Sequence, residues 1–230
     1  KRSRMLVTLA TRTFTPEPTA AALRLGALAR ALAAGGDRVR VLTSRLAPSV
    51  ARDARQLADG GVEPGEGRGL VEVRRVPVLR DRTGAVRGYV SYMSFDVPLV
   101  ARLLTGPRPD VVVSEPPPTT GAAVRIACAV RRVPYVYYCA DIVSDAAALA
   151  GVPGLVVRTV AGLESFALCG ARRVIAVSDG VARRARDLGA RDVAVVPNGV
   201  RVPDAVATGT PEGFPTCDGP VFVYAGTVAQ

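Results

Sequence analysis

The feature that most restricts this chain is a rhythm of short apolar segments, each followed by a single helical pattern. Residues 5–10 (MLVTLA), 38–42, 71–76, 111–113, 135–138, 174–177 and 193–196 are rich in valine and other strand formers. Helical spacing runs from residue 20 to the Gly35-Gly36 pair, then over 97–104, 119–130, 156–168 and 179–188. Strands that are apolar on both faces and separated by single helices belong to a parallel sheet covered on both sides. Right-handed crossovers then wind it in both directions. The expected fold class is α/β, a doubly wound, mostly parallel sheet.

Composition narrows the chemistry. The chain has 230 residues, 49% hydrophobic and 22% charged. A chain of that length buries roughly 70% of its unfolded surface and needs no staple of disulfides or metal. Its longest apolar run, residues 133–140, falls short of the ~20 residues of a helical membrane span. There is no histidine, which excludes Ser-His and Cys-His nucleophiles, histidine-ligated zinc and a histidine base. Acid–base work must fall to Asp, Glu, Tyr, Cys or the single Lys1. The four cysteines, 128, 139, 169 and 217, are far apart and form no CxxC pair, so they read as reduced, mostly buried thiols of a cytoplasmic protein.

The net charge is +10 and nearly all of the positive charge is arginine. The arginines come singly or in pairs (Arg74-Arg75, Arg131-Arg132, Arg172-Arg173, Arg183-Arg184), expected at helix ends and on outer faces. Aromatics make up 5% of the chain and tryptophan is absent, so there is little for bases to stack on and no nucleic-acid partner is expected. A solvated basic surface is the first reading of the charge, and contact with an anionic membrane or a phosphorylated ligand the second.

Two stretches interrupt the rhythm. Residues 60–69 form a Gly/Glu loop, and its Gly65, Gly67 and Gly69 precede a strand instead of following one, which argues against a dinucleotide fingerprint. Residues 197–220 carry five prolines and read as a linker, followed by one more strand at 221–224. The expected division is residues 1–200 as one domain, 201–220 as an interdomain linker and 221–230 as the first strand of a second domain. A piece of a longer protein is the simplest account.

In open α/β sheets ligands bind beyond the carboxyl ends of the strands. The loop after the first strand, FTPEPTAAALR, offers Glu17 beside a helix dipole and Thr19 as an N-cap, or else the N–H groups around residues 19–21 as an anion site. SEPPPTTG, after residues 111–113, is a stiff turn. YYCADIVSD places Asp141 and Asp145 just past a strand end, as helix caps or as catalytic or substrate-binding carboxylates. Ser178-Asp179-Gly180 looks like a cap, and Pro197-Asn198-Gly199-Val200 like a turn.

Taken in order, FTPEPTAAALRLGALARALAAGGDRVRVLTS, RPDVVVSEPPPTTG, YYCADIVSDAAALAG, AVSDGVARRARDLGARDVAVVPNGV and VFVYAGTVAQ resemble the N-terminal half of family-four retaining glycosyltransferases of the GT-B fold. The likeness is closest to the branch acting in bacterial polysaccharide and O-antigen assembly. The resemblance implies a Rossmann-like acceptor domain of a hexosyltransferase-like enzyme, inactive as this fragment alone. Such an enzyme moves a sugar from a nucleoside-diphosphate sugar to an acceptor hydroxyl, with retention and without metal or other cofactor. The acceptor is a small molecule or lipid-linked, and the location cytoplasmic, at the inner face of the membrane if the acceptor is a lipid.

By motif match, the Thr19-Ala20 turn would approach the donor pyrophosphate and Asp141 the reacting centre. Glu17, Pro116, Pro117, Thr119 and Asp145 would line the acceptor side, and Asn198-Gly199 would shape the hinge. The chain departs from the family where Gly-Gly is replaced by Thr19-Ala20 and a DLWPE-like segment by Asp141-Ile142-Val143-Ser144-Asp145. The alternatives are a non-catalytic α/β binding module and a sugar-nucleotide epimerase of similar fold.

Overall fold

A computed structural model describes residues 4–48, 50–51, 70–81, 88–199 and 219. Residues 1–198 form one compact unit and 199–230 a second. The glycine triplet at 65–69, most of the linker, Cys217 and the strand at 221–224 lie outside the described residues.

The first unit is built on seven parallel strands: β1 (Leu6–Ala10), β2 (Arg38–Ser44), β3 (Val71–Val76), β4 (Val111–Ser114), β5 (Tyr135–Cys139), β6 (Arg173–Ala176) and β7 (Val193–Val195). Their order across the sheet is β3-β2-β1-β4-β5-β6-β7. Among the described residues the helices between them are α1 (Ala20–Ala34), α2 (Tyr89–Thr105), α3 (Pro118–Arg131), α4 (Val143–Leu149), α5 (Gly154–Gly170) and α6 (Asp179–Asp187). This is the doubly wound, Rossmann-like α/β architecture.

Alternation along each strand splits the core into two layers. Val7 and Leu9 of β1, Val39 and Val41 of β2 and Val113 of β4 pack on Leu25, Ala29 and Ala33 of α1. The opposite residues, Ala10, Leu42, Val112, Tyr135, Tyr137 and Val174, face Phe95 and Leu99 of α2, Val124 and Ala127 of α3, Ala167 and Leu168 of α5 and Ala185 of α6. Gly121 is a packing position: a β-carbon there would sit 2.6 Å from the Tyr137 ring and 2.8 Å from Ala167, so only glycine lets α3 lie this close to β5 and α5.

Two helices differ from the sequence reading. α2 begins eight residues before Val97, and Pro98 stands inside it. α4 lies where the sequence reading places no helix. The expectation that Asp141 or Asp145 caps a helix is also corrected, because the cap residue of α4 is Ile142, without a side-chain bond. The capping carboxylate comes from Glu164 on α5, fully buried, which accepts from Val143 N (2.8 Å), Ser144 N (3.2 Å) and Ser144 Oγ (2.6 Å). Thr19 and Ser178 do cap α1 and α6, accepting from Ala22 N and Val181 N.

The sheet order places the site. From β1 the chain leaves to α1 on one face, and from the adjacent β4 to α3 on the other. Diverging connections leave a crevice at the carboxyl ends of neighbouring strands.

Candidate functional site

That crevice is a cleft of about 550 Å³. The loop after β1 supplies Arg12, Thr13, Glu17, Pro18 and Thr19, and α1 adds Ala21 and Arg24. The loop after β4 brings Glu115, Pro116 and Pro117, that after β5 Ala140 and Asp141, and α4 Val143. Arg80, beyond β3, and Tyr92, on α2, close the far side. The peptide bonds Thr15–Pro16 and Pro116–Pro117, in the two central loops, are cis.

Of the residues singled out by sequence, Glu17, Thr19, Pro116, Pro117 and Asp141 meet on this cleft. Asp141 is exposed at its rim, and its carboxylate takes no hydrogen bond or ion pair from any described residue. Glu17 is buried and closes its own loop by accepting from Phe14 N (3.0 Å), with Arg80 at 3.8 Å. Burial raises its carboxyl above the ordinary range, opposed by the Phe14 amide and the nearby arginines. Thr19 spends its amide on the Glu17 carbonyl (2.8 Å) and its hydroxyl on Ala22 N.

The others stand apart. Ala20, the first residue of α1, is exposed and does not line the cleft. Thr119 stands behind the wall, accepting from Arg12 Nη2 (3.0 Å) and facing a small apolar hollow between α2 and α3. Asp145 is held by Arg184 of α6, whose Nε and Nη2 reach both carboxylate oxygens at 2.9–3.0 Å. Asn198 accepts from the Tyr138 hydroxyl at 3.3 Å, and Gly199 is exposed.

Sequence reasoning missed the charged wall. Arg12 is 8% exposed. It donates to Thr119 and Thr120, stacks its guanidinium 3.7 Å from the centre of the Tyr92 ring, and lies 3.8 Å from Asp96. Asp96, wholly buried on α2, accepts from the Thr120 hydroxyl (2.6 Å). Glu115, 4% exposed, accepts from the Thr11 hydroxyl at 2.5 Å, with Arg24 at 3.8 Å. Burial pushes the Glu115 carboxyl up to about 7, against the opposing pull of Thr11, Arg24 and Arg12. Position was the available signal: Glu115 follows β4 directly and Arg12 comes two residues after β1, where open sheets bind ligands.

Among the described residues no helix is long and apolar enough to cross a membrane. Cys128 and Cys139 are buried and Cys169 half-buried, and all three are free thiols. Burial pushes Cys128 and Cys139 up to about 12.

A Rossmann-like layer with a cleft at its switch point is the arrangement in which open α/β sheets bind ligands. Residues 19–199 match the glycosyl transferase 4-like domain, and the chain belongs to that family. No curated protein matches it. Among solved structures, sucrose-phosphate synthase from Thermosynechococcus elongatus is similar at a TM-score of 0.59 and 15% identity, over 86% of this chain and 49% of that one. UGT89C1 of Arabidopsis thaliana, complexed with UDP-L-rhamnose, gives 0.52 and 12% over 89% and 54%. LpCGTa in complex with UDP gives 0.51 and 14% over 86% and 54%. The likeness is one of fold, and the chain spans about half the length of these structures.

Proposed function

We propose that this chain is the acceptor-holding half of a glycosyltransferase that moves a hexosyl group from a nucleoside-diphosphate sugar to an acceptor hydroxyl, with retention and without a metal. The observation that carries the reading is the cleft itself. Within a chain of the glycosyl transferase 4-like family, it gathers Asp141, Glu17, Thr19 and the Pro116-Pro117 turn at the carboxyl ends of β1, β4 and β5. UDP-L-rhamnose and UDP, named with two of the similar structures, suit a nucleotide-sugar donor here.

In this reading the acceptor oxygen bonds to the anomeric carbon on the same face from which the donor diphosphate leaves with the bonding electron pair, so configuration is kept. Asp141 receives the acceptor's hydroxyl proton. Its carboxylate is exposed, without a partner among the described residues and open to a substrate, as such a group must be. Pro116 and Pro117 give the acceptor a rigid apolar wall, and Glu17 shapes the loop beside it. The first turn of α1 faces the donor pyrophosphate. The amides of Ala20 and Ala21 have no partner among the described residues, and a helix N-terminus favours anions. Asn198 and Gly199 form the hinge to a donor-binding domain, which the half-length match leaves room for. The acceptor is a small molecule or a lipid-linked one, the protein bacterial and cytoplasmic, and the biosynthesis that of a polysaccharide or glycoconjugate.

The test is Asp141→Asn in the full-length protein. Turnover is expected to fall by a factor of roughly 100 or more while the fold is kept. Unchanged turnover would remove Asp141 from the reaction, and absence of transfer by the wild-type protein would favour a non-catalytic binding module.

A further inference from the structure

Two guanidinium groups face this cleft with part of their hydrogen-bonding capacity unspent. Arg12 and Arg24 each bury an Nε that has no partner. Neither makes a close ion pair, since Asp96 lies 3.8 Å from Arg12 and Glu115 lies 3.8 Å from Arg24. A buried donor without a partner is a cost to the fold, and both guanidinium groups line the cleft, where the charge of an entering anion can offset it. Between the two arginines sits Glu115, whose Oε1 is taken by the Thr11 hydroxyl, leaving Oε2 towards Arg24.

We infer that Arg12, Arg24 and Glu115 form a subsite for an anionic oxygen group on the acceptor, and that Glu115 takes up a proton when the subsite fills. The inference rests on the glycosyltransferase reading for the word acceptor, but not for the site. With Glu115 ionised, Arg24 is balanced and an entering anion meets a carboxylate. With Glu115 protonated, Arg24 carries its full charge and the Oε2 hydroxyl donates to the anion. No covalent bond changes, and one proton passes from solvent to Glu115.

The charged and titratable groups facing Glu115 are Arg12 from the loop after β1, Arg24 from α1, Asp141 from the loop after β5 and Tyr137 from β5. Asp96 and Tyr92 of α2 act on it through Arg12. Arg12 and Arg24 favour the carboxylate, while Asp141 and burial oppose it. The Tyr137 hydroxyl, pushed well above its usual range by burial, stays neutral. Glu115 is therefore the group that can change charge near neutrality. A bound anion displaces its titration further upward.

The experiment uses glucose 6-sulfate, whose charge is constant across neutral pH, with glucose as the uncharged control, titrated calorimetrically into the full-length protein. The expected result is binding about tenfold tighter near pH 6 than near pH 8, with up to one proton taken up, as read from buffers of different ionisation heat. Glu115→Gln should bind with pH-independent affinity and no proton uptake. Arg24→Met should lose binding at both pH values, as should Arg24→Lys in part. Equal affinity for glucose and its sulfate, or a pH dependence that survives Glu115→Gln, would overturn the inference. Displacement of the sulfate by saturating UDP would also overturn it, assigning the arginines to the donor diphosphate. A sugar-transfer assay on the same protein separates the two readings. Transfer without anion preference sinks only the subsite, and proton-linked anion binding without transfer sinks only the enzyme.

Discussion

Glu115 shows how a single residue ties the site to stability. Its carboxyl titrates at about 7 in the fold instead of 4.5. Between those values the folded state holds a proton that the unfolded chain has lost. Stability is therefore fully present below about pH 4.5 and falls as pH rises through about 7. Glu115→Gln removes that loss. Urea unfolding should find the variant more stable than wild type above neutrality, on the order of 1–3 kcal/mol, and close to it in acid. A constant difference at all pH values would show that the carboxyl does not titrate in this window. Residue identity alone could not announce this: Glu115 stands in a motif read for its prolines, and its burial comes from Arg12, Arg24 and Thr11, about 90–100 residues away.

At the scale of elements, what was legible was whatever carries its own signal. β1 through β7 and α1 announce themselves by valine runs, leucine spacing and the Gly35-Gly36 stop, where Gly36 takes φ +95°. The start of α2 was not legible, because Pro98 is the kind of residue that opens a helix and here interrupts one. α4 has seven residues and no cap of its own, and its N-terminal amides depend on Glu164, twenty residues on. Glu164→Ala should strip those bonds and cost about 3 kcal/mol or more, measured by urea unfolding. A loss under 0.5 kcal/mol would mean that water replaces the carboxylate. Arg132, the C-cap of α3, is the single non-glycine described residue in the left-handed region, at φ 52°. Arg132→Gly should raise stability by about 0.5–1 kcal/mol, the steric cost of a side chain there, and a lower midpoint would contradict this.

For the whole molecule, the alternation of strands and helices specifies the sheet, and the sheet order sets the crevice where a ligand is expected. Asp141, Glu17 and the proline turn could be placed on this cleft because they follow strand ends. The division of labour among the arginines could not. Twenty-nine of them look alike in a sequence, and only packing shows that Arg12 and Arg24 turn into the cleft while Arg184 turns away to Asp145. The first reading of the charge, as a solvated surface, holds for exposed Arg172 and Arg173 but not for these two. The central claim is that this switch-point cleft receives the substrates. Hydrogen exchange of the full-length protein, with and without nucleotide sugar and acceptor together, tests it most directly. Slowing is expected in residues 11–23, 115–120 and 140–144, and slowing confined to the amino ends of the strands would contradict the account.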